Sequence, residues 1–254
     1  MFSSTYLRNL LEITLLINFR YYITLKLVNT LYLRLQGVIH CSSLEFLKGN
    51  PLFTGLIREM AEVLSLKNST LTLKAKYKPK IGDSIAVNGA CLTVIRVTND
   101  TFSVELSPET QSILAMENYR GKVHIEPAMM MGDRFEGHIV QGHVDCLGTI
   151  KSIKNNGNST DFTISLPKEF SKYIIPKGSV TIDGVSLTVN EVLKDSFRLT
   201  IIPHTIKNTL FETYKIGSKV NLETDMFARY IYNMFQNKND DLTWDRVEGI
   251  MASY

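Results

Sequence analysis

Between residue 84 and residue 225 the chain is written in short stretches that switch between apolar and polar residues every second position. Ser84-Ile-Ala-Val and Thr101-Phe-Ser-Val-Glu-Leu alternate, and Leu92-Thr-Val-Ile-Arg-Val is β-branched, all as half-buried strands require. Asn88-Gly89 and Asp183-Gly184 stand between apolar runs, where tight hairpin turns form. Several such strands at roughly 8–12-residue spacing predict a small barrel or sandwich. After Asp225 the period changes. Met226, Phe227, Tyr230, Ile231, Met234 and Phe235 recur at helical spacing and predict an amphipathic helix. Its apolar face needs a partner, and self-association and packing back onto a barrel are both open. Asn237–Asp241 reads as a polar loop, and 242–250 could add a short helix.

The strand pattern occurs twice. Ser84-Ile-Ala-Val-Asn-Gly-Ala-Cys-Leu-Thr-Val returns 95 residues later as Ser179-Val-Thr-Ile-Asp-Gly-Val-Ser-Leu-Thr-Val, and ten of the 27 pairs from Ser84/Ser179 to Thr110/Thr205 are identical. Gly55-Leu-Ile and Val63 match Gly142-His-Val and Ile150 at an offset of 87, so the first copy lacks about eight residues, between Lys67 and Lys80. Val123–Glu126 echoes Val220–Glu223. A period near 90 is too long for a solenoid and suits a duplicated small domain. The joint falls near Gly137–Gln141. The predicted organisation is therefore an extension over 1–51, one domain over 52–140, a second over 141–225, and a helix with tail over 226–254.

Residues 1–50 are crowded with Leu, Ile, Tyr and Asn and do not share the repeat. No run reaches the ~18 apolar residues that span a bilayer. An untranslated upstream stretch, an organelle presequence and a helical extension are the readings, with the first preferred. Over all 254 residues, 44% hydrophobic and 21% charged describe a globular chain, and a net charge of +3 gives no electrostatic footprint for nucleic acid. Cys41, Cys91 and Cys146 are too few for a disulfide framework or a zinc site, which makes a reducing compartment the default.

Within the repeat a few positions could carry chemistry. Cys91 alone reads as a small buried hydrophobe. Its repeat partner is Ser186, however, and Thr93 and Thr188 follow on the same strand face, which suggests a polar pocket in each half. A thiol there would act as a nucleophile if its surroundings lowered its pKa. His138 and His143 are turn residues or proton carriers; their i, i+5 spacing is no metal signature. His204 replaces Glu109 across the repeat. Gly55 and Gly142 suit a positive φ or a close backbone approach.

Taken together, Leu52-Phe-Thr-Gly-Leu-Ile, Gly82-Asp-Ser-Ile-Ala-Val-Asn-Gly-Ala-Cys-Leu-Thr-Val, Gly137-His-Ile-Val-Gln-Gly-His-Val-Asp, Lys177-Gly-Ser-Val-Thr-Ile-Asp-Gly-Val-Ser-Leu-Thr-Val and Ile202-Pro-His-Thr resemble the riboflavin synthase alpha-chain family of lumazine-binding barrels. They span residues 52–235 in the family's order and spacing. The resemblance implies a mainly β fold of two tandem six-stranded antiparallel Greek-key barrels plus a C-terminal α-helix. It implies a transferase that dismutates two molecules of 6,7-dimethyl-8-ribityllumazine to riboflavin and 5-amino-6-ribitylamino-uracil. No cofactor and no metal are expected, nor is a nucleic acid or membrane partner. The expected assembly is a cytoplasmic homotrimer joined through the helices, with possible association with lumazine synthase. A non-catalytic antenna protein of the same fold is the alternative.

The resemblance further implies that Cys91, His143 and Ser186 are catalytic, His143 in proton transfer and the other two in addition or positioning. Phe53, Thr54, Ser84, Thr93, Thr188 and Asp225 would complete the pocket. Gly55, Leu56, Ile57, Gly142 and Val144 would meet the ring and ribityl chain. So would Glu105, Leu106, Ser107, Pro108, Glu109 and Thr110 in the first copy, and Ile201, Ile202, Pro203, His204, Thr205 and Ile206 in the second. Leu92, Leu187 and Lys177 belong to the same implied binding set. Two departures stand out: Leu52 replaces the family's initial Met, and Cys146 stands where relatives often have Gly.

Overall fold

Each copy of the repeat closes into its own barrel, because six strands alternating in burial have no solvent-facing edge once the last pairs with the first. The computed structural model describes residues 51–236; the expectations for 1–50, the loop 237–241 and the helix at 242–250 lie outside the described residues. In the first barrel β1 (Glu59–Lys67), β2 (Thr70–Lys74), β3 (Ser84–Val87), β4 (Ala90–Val97), β5 (Thr101–Glu105) and β6 (Lys122–Pro127) run in the order β1-β2-β5-β4-β3-β6, all antiparallel. In the second, β7 (Cys146–Asn155), β8 (Thr160–Ser165), β9 (Ser179–Ile182), β10 (Val185–Val192), β11 (Ser196–Ile201) and β12 (Lys219–Thr224) repeat the same cyclic order. Even the irregularities repeat. Register shifts at Val63/Ser65 and Val94/Arg96 return at Ile150/Ser152 and Val189/Glu191, where an extra residue bends the strand enough for closure.

The inward positions form two separate cores. Leu71, Leu73, Ile85, Phe102, Val104 and Ile125 fill the first barrel, and Ile150, Phe162, Ile164, Val180, Phe197 and Leu199 fill the second. Two short helices interrupt the strand pattern at equivalent places, α1 (Pro108–Ile113) and α2 (Pro203–Lys207). Each opens on one of the paired prolines, whose fixed φ suits the first helical turn, and Ser107 caps α1 by accepting from the Thr110 N–H at 3.0 Å.

The barrels meet where their hairpin turns abut. Asn88 and Asp183 take φ 45°, Gly89 and Gly184 φ 81°, the left-handed pair that a two-residue hairpin requires. A Cβ on Gly89 would stand 2.7 Å from the Gly184 nitrogen, and one on Gly184 2.8 Å from the Gly89 nitrogen, so neither site admits a side chain. Around this contact runs a buried polar seam. The Asn221 N–H donates to Asp183 Oδ1 at 2.9 Å and its Nδ2 to the Asn88 carbonyl at 2.8 Å. Its repeat equivalent, His124, lies the other way round. The His124 N–H donates to Asn88 Oδ1 at 2.8 Å, and Nε2 accepts from the Leu210 N–H at 2.8 Å. That leaves the proton on Nδ1, 2.7 Å from the Asp183 carbonyl. Burial pushes the His124 pKa down to about 4, against the hydrogen bond to the Asp183 carbonyl, which raises it.

The C-terminal helix α3 (Met226–Gln236) begins where Asp225 Oδ1 accepts from the Phe227 N–H at 2.9 Å. It docks on the second barrel through Tyr232, edge-on to Tyr173 at 5.5 Å with Lys172 Nζ 4.4 Å from its ring centre. Tyr173 closes the 3-10 segment Lys168–Tyr173, part of the extra length that the second copy has over the first. The helix thus packs back on a barrel, yet Phe227, Ile231 and Met234 remain 53%, 53% and 48% exposed along its other side. No helix among the described residues is long and apolar enough to cross a membrane.

Asp183 generates a stability prediction. Its carboxyl is raised from 3.8 to about 7 by burial, against the hydrogen bonds from Tyr214, Asn221 and Asn118 that favour its ionised form. The folded chain therefore keeps a proton that the unfolded chain releases near pH 4, and the stability linked to this proton is lost as pH rises towards 7. Asp183→Asn, which copies the Asn88 turn of the first barrel, should flatten that decline. Denaturation midpoints at pH 4.5, 6 and 8 test it; equal slopes in the two proteins would mean that Asp183 is ionised throughout.

Candidate active site

Two short segments, 52–57 and 140–144, pass between the barrels and build the site. They pair with each other first: the Phe53 N–H donates to the Val140 carbonyl at 2.8 Å and the Val140 N–H returns to Phe53 at 3.1 Å. Each then turns sharply at its glycine. Gly55 has φ 78° and Gly142 φ 74°, in the region closed to most side chains. Beyond the turn each reaches the opposite half. The Ser186 N–H donates to the Gly55 carbonyl, and the Cys91 N–H to the Gly142 carbonyl, both at 2.8 Å. A Cβ on Gly55 would lie 2.6 Å from the Ser186 Cβ, and one on Gly142 2.7 Å from that of Cys91. Further on, Ile57 packs against the core of the second barrel and Val144 is part of the core of the first, so the exchange is mutual.

A buried glutamate anchors each turn to its own barrel. Glu126 on β6 accepts from the Thr54 N–H and Oγ1 at 2.8 Å each and from the Gly55 N–H at 3.0 Å. Glu223 on β12 accepts from the Gln141 N–H at 2.8 Å and the Gly142 N–H at 2.9 Å. Burial raises both carboxyls, Glu223 to about 8, against these same hydrogen bonds. The Val-to-Glu echo between 123–126 and 220–223 marked these residues in the sequence, but as repeat equivalents rather than as anchors.

The first pocket opens beside Cys91, with a volume of about 450 Å³. Cys91 and Ala90 on β4, Glu109 and Thr110 on α1, and Gly142, His143 and Val144 on the crossing segment line it. Burial, with a contribution from the charge of Glu223, pushes the Cys91 thiol up to about 11 despite a hydrogen bond from Ser84. The site therefore presents a neutral S–H, not a thiolate. The His143 imidazole is shifted down by desolvation and then by the Arg229 charge, with Asp145 opposing. A neutral imidazole is able to accept a proton.

The second site differs in chemistry. His138 Nδ1 stands 2.7 Å from Ser186 Oγ, and burial lowers this histidine's pKa while the Asp225 charge raises it. Ser186 is thus oriented by a nearly buried imidazole. The sequence reads His138 as a turn residue or a proton carrier and gives no sign of its partner, because 48 residues separate them.

The other implied residues divide by orientation. Thr93 and Thr188 are exposed on the strand faces of Cys91 and Ser186 and pair with Ser84 and Ser179. Glu105, Ser107 and Pro108, like Ile202, Pro203 and His204, are exposed at the barrel rims, and Thr205 is half-buried beside them. Leu92, Leu106 and Ile201 are buried inside the barrels, and Leu187 and Ile206 pack partly against the second core. These five offer a ligand mainly backbone. Phe53 is fully buried against Ala86 and Val140, and Thr54 is spent on Glu126. Leu56 is half-buried, and Lys177 is exposed at a turn with φ 65°. Cys146 points into the second core and its thiol is pushed up to about 12, so it does not disturb the turn after His143. Among the described residues no cluster of His, Cys, Asp or Glu could hold a metal ion.

Comparison with known proteins follows the same two-part division. The family model described as the lumazine binding domain matches residues 54–128 and again 141–225. A riboflavin synthase of Photobacterium phosphoreum is 39% identical over 212 residues, 78% of this chain and 97% of its own length. One from Bacillus subtilis (strain 168) is 38% identical over 201 residues, 76% and 94% of the two chains. In architecture the chain is similar to the crystal structure of LumP complexed with 6,7-dimethyl-8-(1'-D-ribityl) lumazine, with a TM-score of 0.57 at 21% identity, covering 68% of this chain and 98% of that one.

The glycine turns yield the prediction here. Gly142→Ala and Gly55→Ala should each lose about 1–3 kcal/mol of stability from the positive φ alone. Each should also displace the residue it faces, Cys91 or Ser186 respectively. Denaturant unfolding and crystal structures of the two variants check this; full stability in either would show that the turn can relax without the close contact.

Proposed function

The chain belongs to the riboflavin synthase family, built of paired lumazine binding domains, and on that premise we propose that it dismutates two molecules of 6,7-dimethyl-8-ribityllumazine into riboflavin and 5-amino-6-ribitylamino-uracil. The observation that carries the reading is the pairing of Cys91 with Ser186, each placed under the glycine turn of the opposite half but with different neighbours. A reaction between two identical molecules needs two like pockets to hold them and unlike groups to treat one as donor and the other as acceptor. The enzyme is a transferase that moves a four-carbon unit between its two substrates. The electrons and atoms balance between those substrates, so the chemistry requires no cofactor or metal.

The transfer needs a proton removed from the 7-methyl of one lumazine and an electrophilic C7 on the other. His143, neutral and facing the first pocket, is the group that takes and returns the proton. Cys91, held as a thiol, donates a hydrogen bond or a proton rather than attacking as an anion. Ser186, fixed by His138, positions the second substrate. Holding two rings face to face replaces a bimolecular encounter and can supply about 7–11 kcal/mol of the rate enhancement.

The Phe227, Ile231 and Met234 stripe on α3 supports a homotrimer sealed through these helices, with each active site completed between the first barrel of one chain and the second of its neighbour. Association with lumazine synthase in the cytoplasm fits the same reading. An antenna protein of this fold would bind the lumazine without turning it over; the presence of Cys91, His143, Ser186 and Thr188 favours the enzyme.

Incubation with 6,7-dimethyl-8-ribityllumazine alone is the test. Two lumazines should disappear per riboflavin formed, and tight binding without turnover would instead make the chain an antenna protein. Cys91→Ala should lower turnover by about 10²-fold or more if the thiol moves a proton in the transition state. Sedimentation should give three chains for the native protein and a single chain for Ile231→Asp.

A further inference from the structure

Helix α3 reaches into the first pocket through Arg229, whose side chain is buried and lines the cavity beside His143. Its Nη1 donates to Asp145 Oδ1 at 2.5 Å and its Nη2 to Gln141 Oε1 at 2.9 Å. These two acceptors flank Gly142, His143 and Val144, so one guanidinium spans both ends of the segment that presents His143. Asp145 is itself fixed, accepting from the Thr224 N–H and Oγ1 at 2.7 Å each. Among the described residues the other crossing segment has no such brace. Thr54, the equivalent of Gln141, is bonded to Glu126 of its own barrel, and the equivalent of Asp145 is the exposed Arg58. The duplication therefore made two crossing segments, and among the described residues it is the second that is tied to an element outside the repeat.

We propose that Arg229 is a positioning residue: by bridging Asp145 and Gln141 it holds His143 in place and makes ligand binding in the Cys91 pocket depend on docking of the C-terminal helix. The Ser186 pocket has no guanidinium bridge of this kind among the described residues; the start of the helix bears on it through the charge of Asp225 on His138. The inference rests on reading the site as a lumazine pocket. The groups that bear on His143 are Arg229 on α3, Asp145 on its own segment, and Glu109 on α1, Cys91 on β4 and Glu223 on β12 around it. Arg229 is the cation among them, so its loss should move the His143 titration upward.

The full chain is titrated with riboflavin and with 6,7-dimethyl-8-ribityllumazine, following ligand fluorescence, and the His143 ring is followed by NMR across pH. In Arg229→Ala one of the two sites per chain should weaken by roughly tenfold or more, as loss of a charge-assisted bridge implies, while the other stays within about twofold. Arg229→Lys should recover part of that loss and keep the His143 titration near its native position. Tyr232→Ala loosens the same helix while keeping the guanidinium, so it should weaken the same site in the same direction but by a smaller factor than Arg229→Ala. Equal weakening of both sites in Arg229→Ala, no weakening of either, or an Arg229→Ala protein indistinguishable from Tyr232→Ala would overturn the inference alone. Absence of binding to the native chain would overturn the lumazine reading and the inference with it.

Discussion

Everything that makes this protein more than two small barrels depends on a pair of buried glutamates, each holding a glycine turn by its backbone N–H groups. Glu126 and Glu223 take these hydrogen bonds in the interior, where each is worth most because water cannot compete and an unpaired amide would be costly. The turn so fixed directs a carbonyl at β4 or β10 of the other barrel, and Cys91 or Ser186 is set against it. A single side-chain carbon at Gly55 or Gly142 would break that contact. The contacts that set Cys91 and Ser186 against the opposite half are therefore made by backbone.

The same device explains why the two halves do not drift apart. Barrels with complete cores have little reason to associate. Here each donates a segment whose apolar residue, Ile57 or Val144, packs into its neighbour's core, while the hairpin turns meet glycine to glycine. In the seam the Asn88 and Asp183 carbonyls meet Asn221 and His124 of the opposite barrel, and their side chains accept from the His124 and Asn221 N–H groups of their own. Polar groups buried at such cost give specificity of orientation, since any other docking would strand them.

Upon this near-symmetric frame the chemistry is asymmetric. One pocket has a neutral thiol, a neutral imidazole and a braced wall; the other has a hydroxyl oriented by His138. The appended helix adds to the difference, because it bonds to only one of the two crossing segments. A symmetric pair of pockets would hold two identical molecules equally well and give neither of them a direction.

The strands, the hairpin turns, the duplication and the C-terminal helix were legible in the chain itself, because they rest on local periodicity and on residues such as Asn88-Gly89 whose backbone preference is intrinsic. The positions of Cys91 and Ser186 were legible too, since a repeat aligns equivalent residues without any knowledge of their surroundings. Pro108 and Pro203 were visible, but the short helices they open were not, because one or two turns are too brief to show a period. What tertiary structure alone decided is who meets whom: His138 with Ser186, Gly142 with Cys91, Arg229 with Asp145 and Gln141. These pairs lie 48 to 88 residues apart or cross between barrels, and nothing in local pattern encodes them. The state of the thiol belongs to the same class. Its pKa follows from burial and neighbouring charge, which exist only once the chain has folded.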